Sequence, residues 1–141
     1  PNVADTLISL DGSPSGLLKV KEAIDSGTTV GLLGDRILGK GNEKTVICML
    51  LGEPVKMSTA PVLLASALKV PLIVFFGIYL GGNHYKIHFE LLAEEVILNR
   101  KTRQLDIQAY TQQYVDILEK QMLETPYNWF NFYDYWQKNE R

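Results

Sequence analysis

The sequence predicts an α/β fold, a mixed sheet flanked by helices. Three observations predict it: an amphipathic helical stretch followed at once by a β-branched apolar run, further apolar runs of strand length, and later segments whose apolar residues recur at helical spacing. With 141 residues the chain reads as a single domain, 1–141, burying about two-thirds of the surface its unfolded form exposes.

Each element has a local reason. Ser13 caps and Pro14 opens a first helix, with Leu17, Val20 and Ile24 on one face and Gly27 as its stop. Thr28 to Leu33 has the length and composition of a buried strand between two glycines. Gly34 to Lys44, rich in Gly and charge, is a solvated loop. Thr45 to Leu51 reads as a second strand, ended by Gly52-Glu53-Pro54. Ser58 and Thr59 offer capping hydroxyls to a helix that carries Pro61 in its first turn and runs to Lys69.

Val70 to Leu80 is continuously apolar, Gly81-Gly82-Asn83 turns the chain, and His84 to Leu91 alternates. This predicts a hairpin with a central first strand and a second strand wet on one face. A polar connection from Glu94 to Asp106 leads to a helix bearing Tyr110, Tyr114, Ile117, Leu118, Met122 and Leu123, stopped by Pro126. Both tryptophans and a run of Tyr and Phe then crowd residues 126–136. They read either as a terminal helix clamping the sheet through Trp129, Phe132, Tyr133 and Trp136, or as the lining of a lipid or sugar groove or a membrane-surface strip.

A formal net charge of −2 provides no field for a polyanion, so nucleic acid is not an expected partner. The single cysteine, Cys48, lies in an apolar run and reads as a small buried hydrophobe of a reducing compartment. No stretch approaches the ~20 apolar residues of a membrane-spanning helix, and no secretory signal is visible. The expected location is cytoplasmic.

Candidate chemistry centres on Arg36. An arginine just beyond the C-terminal end of a buried strand occupies the usual ligand position in open α/β sheets, and its planar fork suits phosphate or carboxylate. Asp35 beside it either joins that site or pins the loop. The glycines of the loop match neither the dinucleotide fingerprint nor the P-loop. His84 and His88 lack a third ligand, so no metal is expected. Ser58 and Thr59 could face a ligand, although capping alone accounts for them. No nucleophile with an adjacent base stands out, and no cofactor is implied.

Gly31-Leu32-Leu33-Gly34-Asp35-Arg36, Leu51-Gly52-Glu53-Pro54, the helix after Ala60-Pro61, Val70-Pro71-Leu72-Ile73-Val74-Phe75 and Pro126 to Trp136 occur in an order that resembles the C-terminal half of the bacterial lipid A biosynthesis acyltransferase family. The resemblance extends to its lysophospholipid-acyltransferase-like branch and implies a partial acyltransferase-type domain. It implies transfer of a fatty acyl group from an acyl carrier protein or CoA thioester to a lipid or glycolipid hydroxyl, peripheral to the cytoplasmic face of the bacterial inner membrane. It assigns substrate contact to Asp35 and Arg36, with Ser58 and Thr59 near the acceptor, although Ala60 stands where the family's turn has Gly. The family's base, the His of a His-x4-acid motif, has no counterpart here: Phe89 follows His84 and Ala93 follows His88 at the acidic position. The chain alone is therefore expected to be inactive. A non-catalytic module binding lipid or carrier protein is the alternative. A partial domain is also expected to self-associate through exposed sheet edges.

Overall fold

The computed structural model describes residue 8 and residues 14–37, 44–130 and 135–136. The chain divides into two compact units, Pro1–Leu33 and Gly34–Arg141.

In the first unit, α1 (Pro14–Asp25) ends as its sequence predicts. Gly27 takes φ +82, and the amides of Gly27 and Thr28 reach back to the carbonyls of Ile24 and Ala23, closing the last turn. Val20 is buried, Ile24 is half-buried and Leu17 is exposed. Ser13 lies outside the described residues. The strand expected over Thr28 to Leu33 does not form: the backbone is irregular and Leu33 is exposed. A strand needs a neighbour for its N–H and C=O groups, and no described strand pairs with this run. Apolar composition supplies no such partner.

In the second unit, two antiparallel hairpins and two helices share one core, so the α/β class holds, with its strands in two separate two-stranded sheets. Strand β1 (Thr45–Leu50) pairs with β2 (Glu53–Ser58), from Thr45 opposite Ser58 to Leu50 opposite Glu53. The two-residue connection places both Leu51 (φ +53) and Gly52 (φ +82) in the left-handed region, the conformation that matches the twist of a tight hairpin. Glu53-Pro54 therefore starts a strand where the sequence predicts a stop. Pro54 is tolerated because each strand of a two-stranded sheet has an open edge, where a missing N–H breaks no ladder.

Helix α2 (Ala60–Leu68) carries Pro61 in its first turn and ends on Lys69 in the left-handed conformation. Strands β3 (Leu72–Gly81) and β4 (His84–Ala93) form the predicted hairpin, but β3 is not central: β4 is its only described neighbour. The register puts Ile73, Phe75, Gly77 and Tyr79 opposite Leu91, Phe89, Ile87 and Tyr85. The other face carries Val74 and Ile78, both buried, opposite Glu90 and Lys86. The alternation thus places the uncharged, largely apolar face outward.

Helix α3 (Arg103–Glu124) begins inside the segment read as polar connection. Its buried stripe is Ile107, Thr111, Val115, Leu118 and Met122, whereas Leu123 is exposed. Thr111 fits this stripe because its hydroxyl donates to the Ile107 carbonyl one turn back, at 2.8 Å. The core joins that stripe to Val46, Cys48, Leu50, Val55 and Met57 of the first hairpin and to Val62 and Ala65 of α2.

Side chains of α3 also close the free edge of β1. Gln112 accepts from the Met49 amide at 2.9 Å and donates to the Met49 carbonyl at 3.0 Å, a pairing that a neighbouring strand would otherwise make. Gln108 donates to the Ile47 carbonyl, and Glu119 accepts from the Leu51 amide at 2.6 Å. Alternate β1 residues turn their backbone groups to the same edge, and side chains spaced by turns of a helix can follow them.

Leu50 is fully buried, so Leu50→Ala is expected to lower unfolding free energy by about 3 kcal/mol in urea titrations. Leu123→Ala, at 68% exposure, is expected to stay within about 0.5 kcal/mol of the parent. Burial, with Asp116 adding to it, pushes the Cys48 thiol from 9.0 up to about 11. The native chain therefore holds more protons than the unfolded chain between those values, and stability is expected to fall as pH rises through that window. At pH 8 a thiol reagent is expected to label Cys48 only after denaturant is added.

Candidate functional site

The Gly34-Asp35-Arg36 segment forms a turn seated on α3. A Cβ at Gly34 would lie 3.0 Å from both the Tyr114 phenolic carbon and its oxygen, so the close approach requires glycine. Asp35 is half-buried. Burial first, then the charge of Asp35 and the neighbouring Tyr135, hold the Tyr114 phenol well above its ordinary pKa. Tyr114 is therefore neutral at every physiological pH, with its hydroxyl proton in place. Arg36 is exposed, and no carboxylate among the described residues pairs with it.

This placement differs from the expected one. Arg36 does not leave the mouth of a strand, because the preceding run forms none. Its turn is positioned instead by the aromatic side chain of a helix eighty residues later, and Tyr114 itself was legible only as an apolar-face residue.

Behind this seat lies the C-terminal aromatic cluster. Tyr135 donates to the Met57 sulfur at 3.4 Å, and its ring meets Trp129 edge-on at 5.0 Å and Trp136 at 5.6 Å. The chain reaches this cluster through a 3-10 turn, Pro126–Asn128, after which Trp129 is extended rather than helical. Asn128 accepts from the Tyr79 amide at 2.6 Å, joining this segment to the open edge of β3. Phe132 and Tyr133, expected in a terminal helix, lie outside the described residues. The described rings pack on the core, as a clamp would. A shallow cleft of about 70 Å³ opens beside them, lined by Phe76, Ile78, Leu118, Met122 and Trp129 among others. The indole N–H groups of Trp129 and Trp136 are buried and have no acceptor among the described residues.

Ser58 and Thr59 sit elsewhere in the unit, at the junction of β2 and α2, and both are buried. Ser58 accepts from the Ala60 amide at 3.3 Å, a local turn contact; the N-cap residue is Thr59, whose side chain makes no capping hydrogen bond, so the expected hydroxyl cap does not form. The Thr59 hydroxyl turns away from the helix and donates to the Lys44 carbonyl at 3.0 Å. His88 Nε2 lies 3.5 Å from Glu90 Oε2 on β4, and His84 is exposed at the start of that strand. Among the described residues, no group of three His, Cys, Asp or Glu could hold a metal ion.

The family model for bacterial lipid A biosynthesis acyltransferases matches residues 10–138, nearly the whole chain and every element described above. The chain belongs to the bacterial lipid A biosynthesis acyltransferase family. No curated protein matches the sequence. Membership places the Arg36 turn in a family of acyl-transferring proteins. No described helix is long and apolar enough to cross a membrane.

Gly34→Ala is expected to destabilise the second unit by about 1–3 kcal/mol, because the added methyl overlaps the Tyr114 ring. In a Tyr114→Ala background the same substitution is expected to be nearly neutral, and a double-mutant cycle in urea measures the difference.

Proposed function

We propose that this chain supplies the anion-contacting part of a domain that transfers a fatty acyl group from an acyl carrier protein or CoA thioester to a lipid or glycolipid hydroxyl. The acceptor oxygen bonds to the thioester carbonyl carbon, the C–S bond breaks, and the acceptor proton passes through a base to the departing thiolate. The observation that carries the reading, beside family membership, is Arg36: an exposed residue without a carboxylate partner among the described residues, on a turn packed against Tyr114. Such a group suits a phosphate of donor or acceptor, which both substrate classes carry. Asp35, beside it in the same turn, shares the substrate contact in this reading. Ser58 and Thr59, spent on backbone contacts, support the start of α2 nearby in sequence to the strand that follows the loop.

The base is assigned to sequence outside residues 1–141. His84 and His88 lack the acid of a His-x4-acid motif, and the Nε2 of His88 lies 3.5 Å from Glu90 on the same strand. Contact with the cytoplasmic face of the inner membrane is peripheral in this reading, since the acceptor is a lipid. The second reading, a non-catalytic module that binds lipid or carrier protein, is favoured by that same missing motif.

Transfer of a labelled acyl chain tests both. With a base-bearing segment joined to Pro1, transfer is expected to appear, and Arg36→Ala to lower kcat/KM by about 10- to 100-fold, the worth of one charge-assisted contact. Unchanged transfer in Arg36→Ala removes the turn from the site. Saturable binding with no turnover in any such fusion selects the binding module.

A further inference from the structure

Arg36 sits on a turn that no strand ladder anchors from its N-terminal side, because the run from Thr28 to Leu33 is irregular. A guanidinium on an unanchored turn samples many positions, and that freedom is lost when an anion binds. What anchors this turn is the Tyr114 ring. Its phenolic carbon and oxygen would each lie 3.0 Å, and an adjoining ring carbon 3.4 Å, from a Cβ placed on Gly34, two residues before the arginine.

The ring is itself fixed from two sides. Along α3, Tyr114 stands two residues beyond Gln112, which binds both backbone groups of Met49, so the helix cannot slide or roll without breaking that pair. Behind the ring lies the buried Tyr135: after burial itself and the charge of Asp35, its phenol is the third influence that holds the Tyr114 pKa up. Tyr135 in turn is held by the Met57 sulfur and by the rings of Trp129 and Trp136. A continuous route therefore runs from the core to the turn, through Met57, Tyr135, Tyr114 and Gly34. Close-packed groups of this kind deform little, which is what a support for a binding group requires. The C-terminal aromatic cluster does more than clamp the core, because it lies on that route.

We infer that Tyr114 is a positioning residue for the anion contact of Arg36, its ring fixing the turn from which the guanidinium reaches a phosphate. The inference rests on the anion-contacting role proposed above for Arg36, and it gives the phenol no chemical step. Two of the three close atoms are ring carbons, so phenylalanine keeps most of the seat and alanine loses it.

Inorganic pyrophosphate titrated into the full chain, followed by the NMR signal of the Arg36 side-chain N–H, is the test. The wild-type signal is expected to shift saturably. Tyr114→Ala is expected to raise the dissociation constant about 3- to 10-fold, the cost of ordering a loosened turn and its long side chain, while Tyr114→Phe stays within about twofold. The far-UV spectrum is expected to be unchanged in both. If Tyr114→Ala does not fold, Gly34→Ala replaces it: the added methyl pushes the turn off the ring while α3 stays intact, and a similar loss is expected. Leu50→Ala loosens the core without touching the turn and is expected to leave the constant unchanged; an equal loss there assigns the effect to general loosening and overturns the inference. A wild-type Arg36 signal that does not respond removes the anion contact, and this inference with it. A response as tight in Tyr114→Ala, or in Gly34→Ala where that stands in, overturns the positioning role and leaves the anion contact standing.

Discussion

The carboxamide of Gln112 holding both backbone groups of Met49 is the interaction on which the second unit depends. A two-stranded sheet has two open edges, and each exposes amides and carbonyls that another chain can pair with. By giving one edge of β1 to α3, the fold turns a local hairpin into part of a layered structure. The same contact sets the height and rotation of α3. Val115, three residues beyond Gln112, is then driven fully into the core, and Tyr114 is turned toward the loop. Each hydrogen bond lies near water and contributes only about 0.5–1.5 kcal/mol. Their value is in register, because the apolar stripe below them is buried only when the helix sits at this angle.

Much of this architecture was legible in the sequence, and the failures have distinct causes. The β3–β4 hairpin could be read because two glycines punctuate it and β4 alternates strictly. Helix α2 could be read because Pro61 opens it, and α3 because Pro126 ends it. Strand β2 was missed because a tight hairpin is normally announced by Asn-Gly or Asp-Gly, and here Leu51 takes the left-handed position without that signal. Pro54 compounded the error, since proline argues against a central strand and says nothing against an open one. Thr28 to Leu33 is the opposite case, a run with the composition of a buried strand that forms none. Pairing is a property of two segments, and a pattern within one of them cannot supply the second.

The candidate site was legible as residues and illegible as geometry. Arg36 stood out because arginine after an apolar run is a recurrent ligand position. What holds it was hidden, because Tyr114 looks like one more apolar residue at helical spacing and Gly34 like the end of a strand. Only the 3.0 Å approach of the two shows that this glycine makes room for a ring. Ser58 and Thr59 illustrate the converse: hydroxyls beside a helix start suggest a ligand and a cap equally, and here one hydroxyl makes a local turn contact and the other bonds to Lys44.

The two hairpins solve the same problem in different ways. Both have an apolar face against the core and apolar residues on the other side, yet β1–β2 receives α3 along its edge while β3–β4 receives only Asn128 at the Tyr79 amide. That difference follows from where the polar residues fall. Lys56 and Pro54 break up the outer face of β1–β2, leaving a surface that water tolerates. On β4 the alternation is inverted, with charge on the side of Val74 and Ile78 and apolar residues outside. A sheet that evolved to face water would carry these residues the other way round. The inversion leaves the uncharged face of the hairpin outward, and it depends on the register: a shift by one residue would exchange the faces, bury Phe75 and Phe89, and expose Val74 and Ile78.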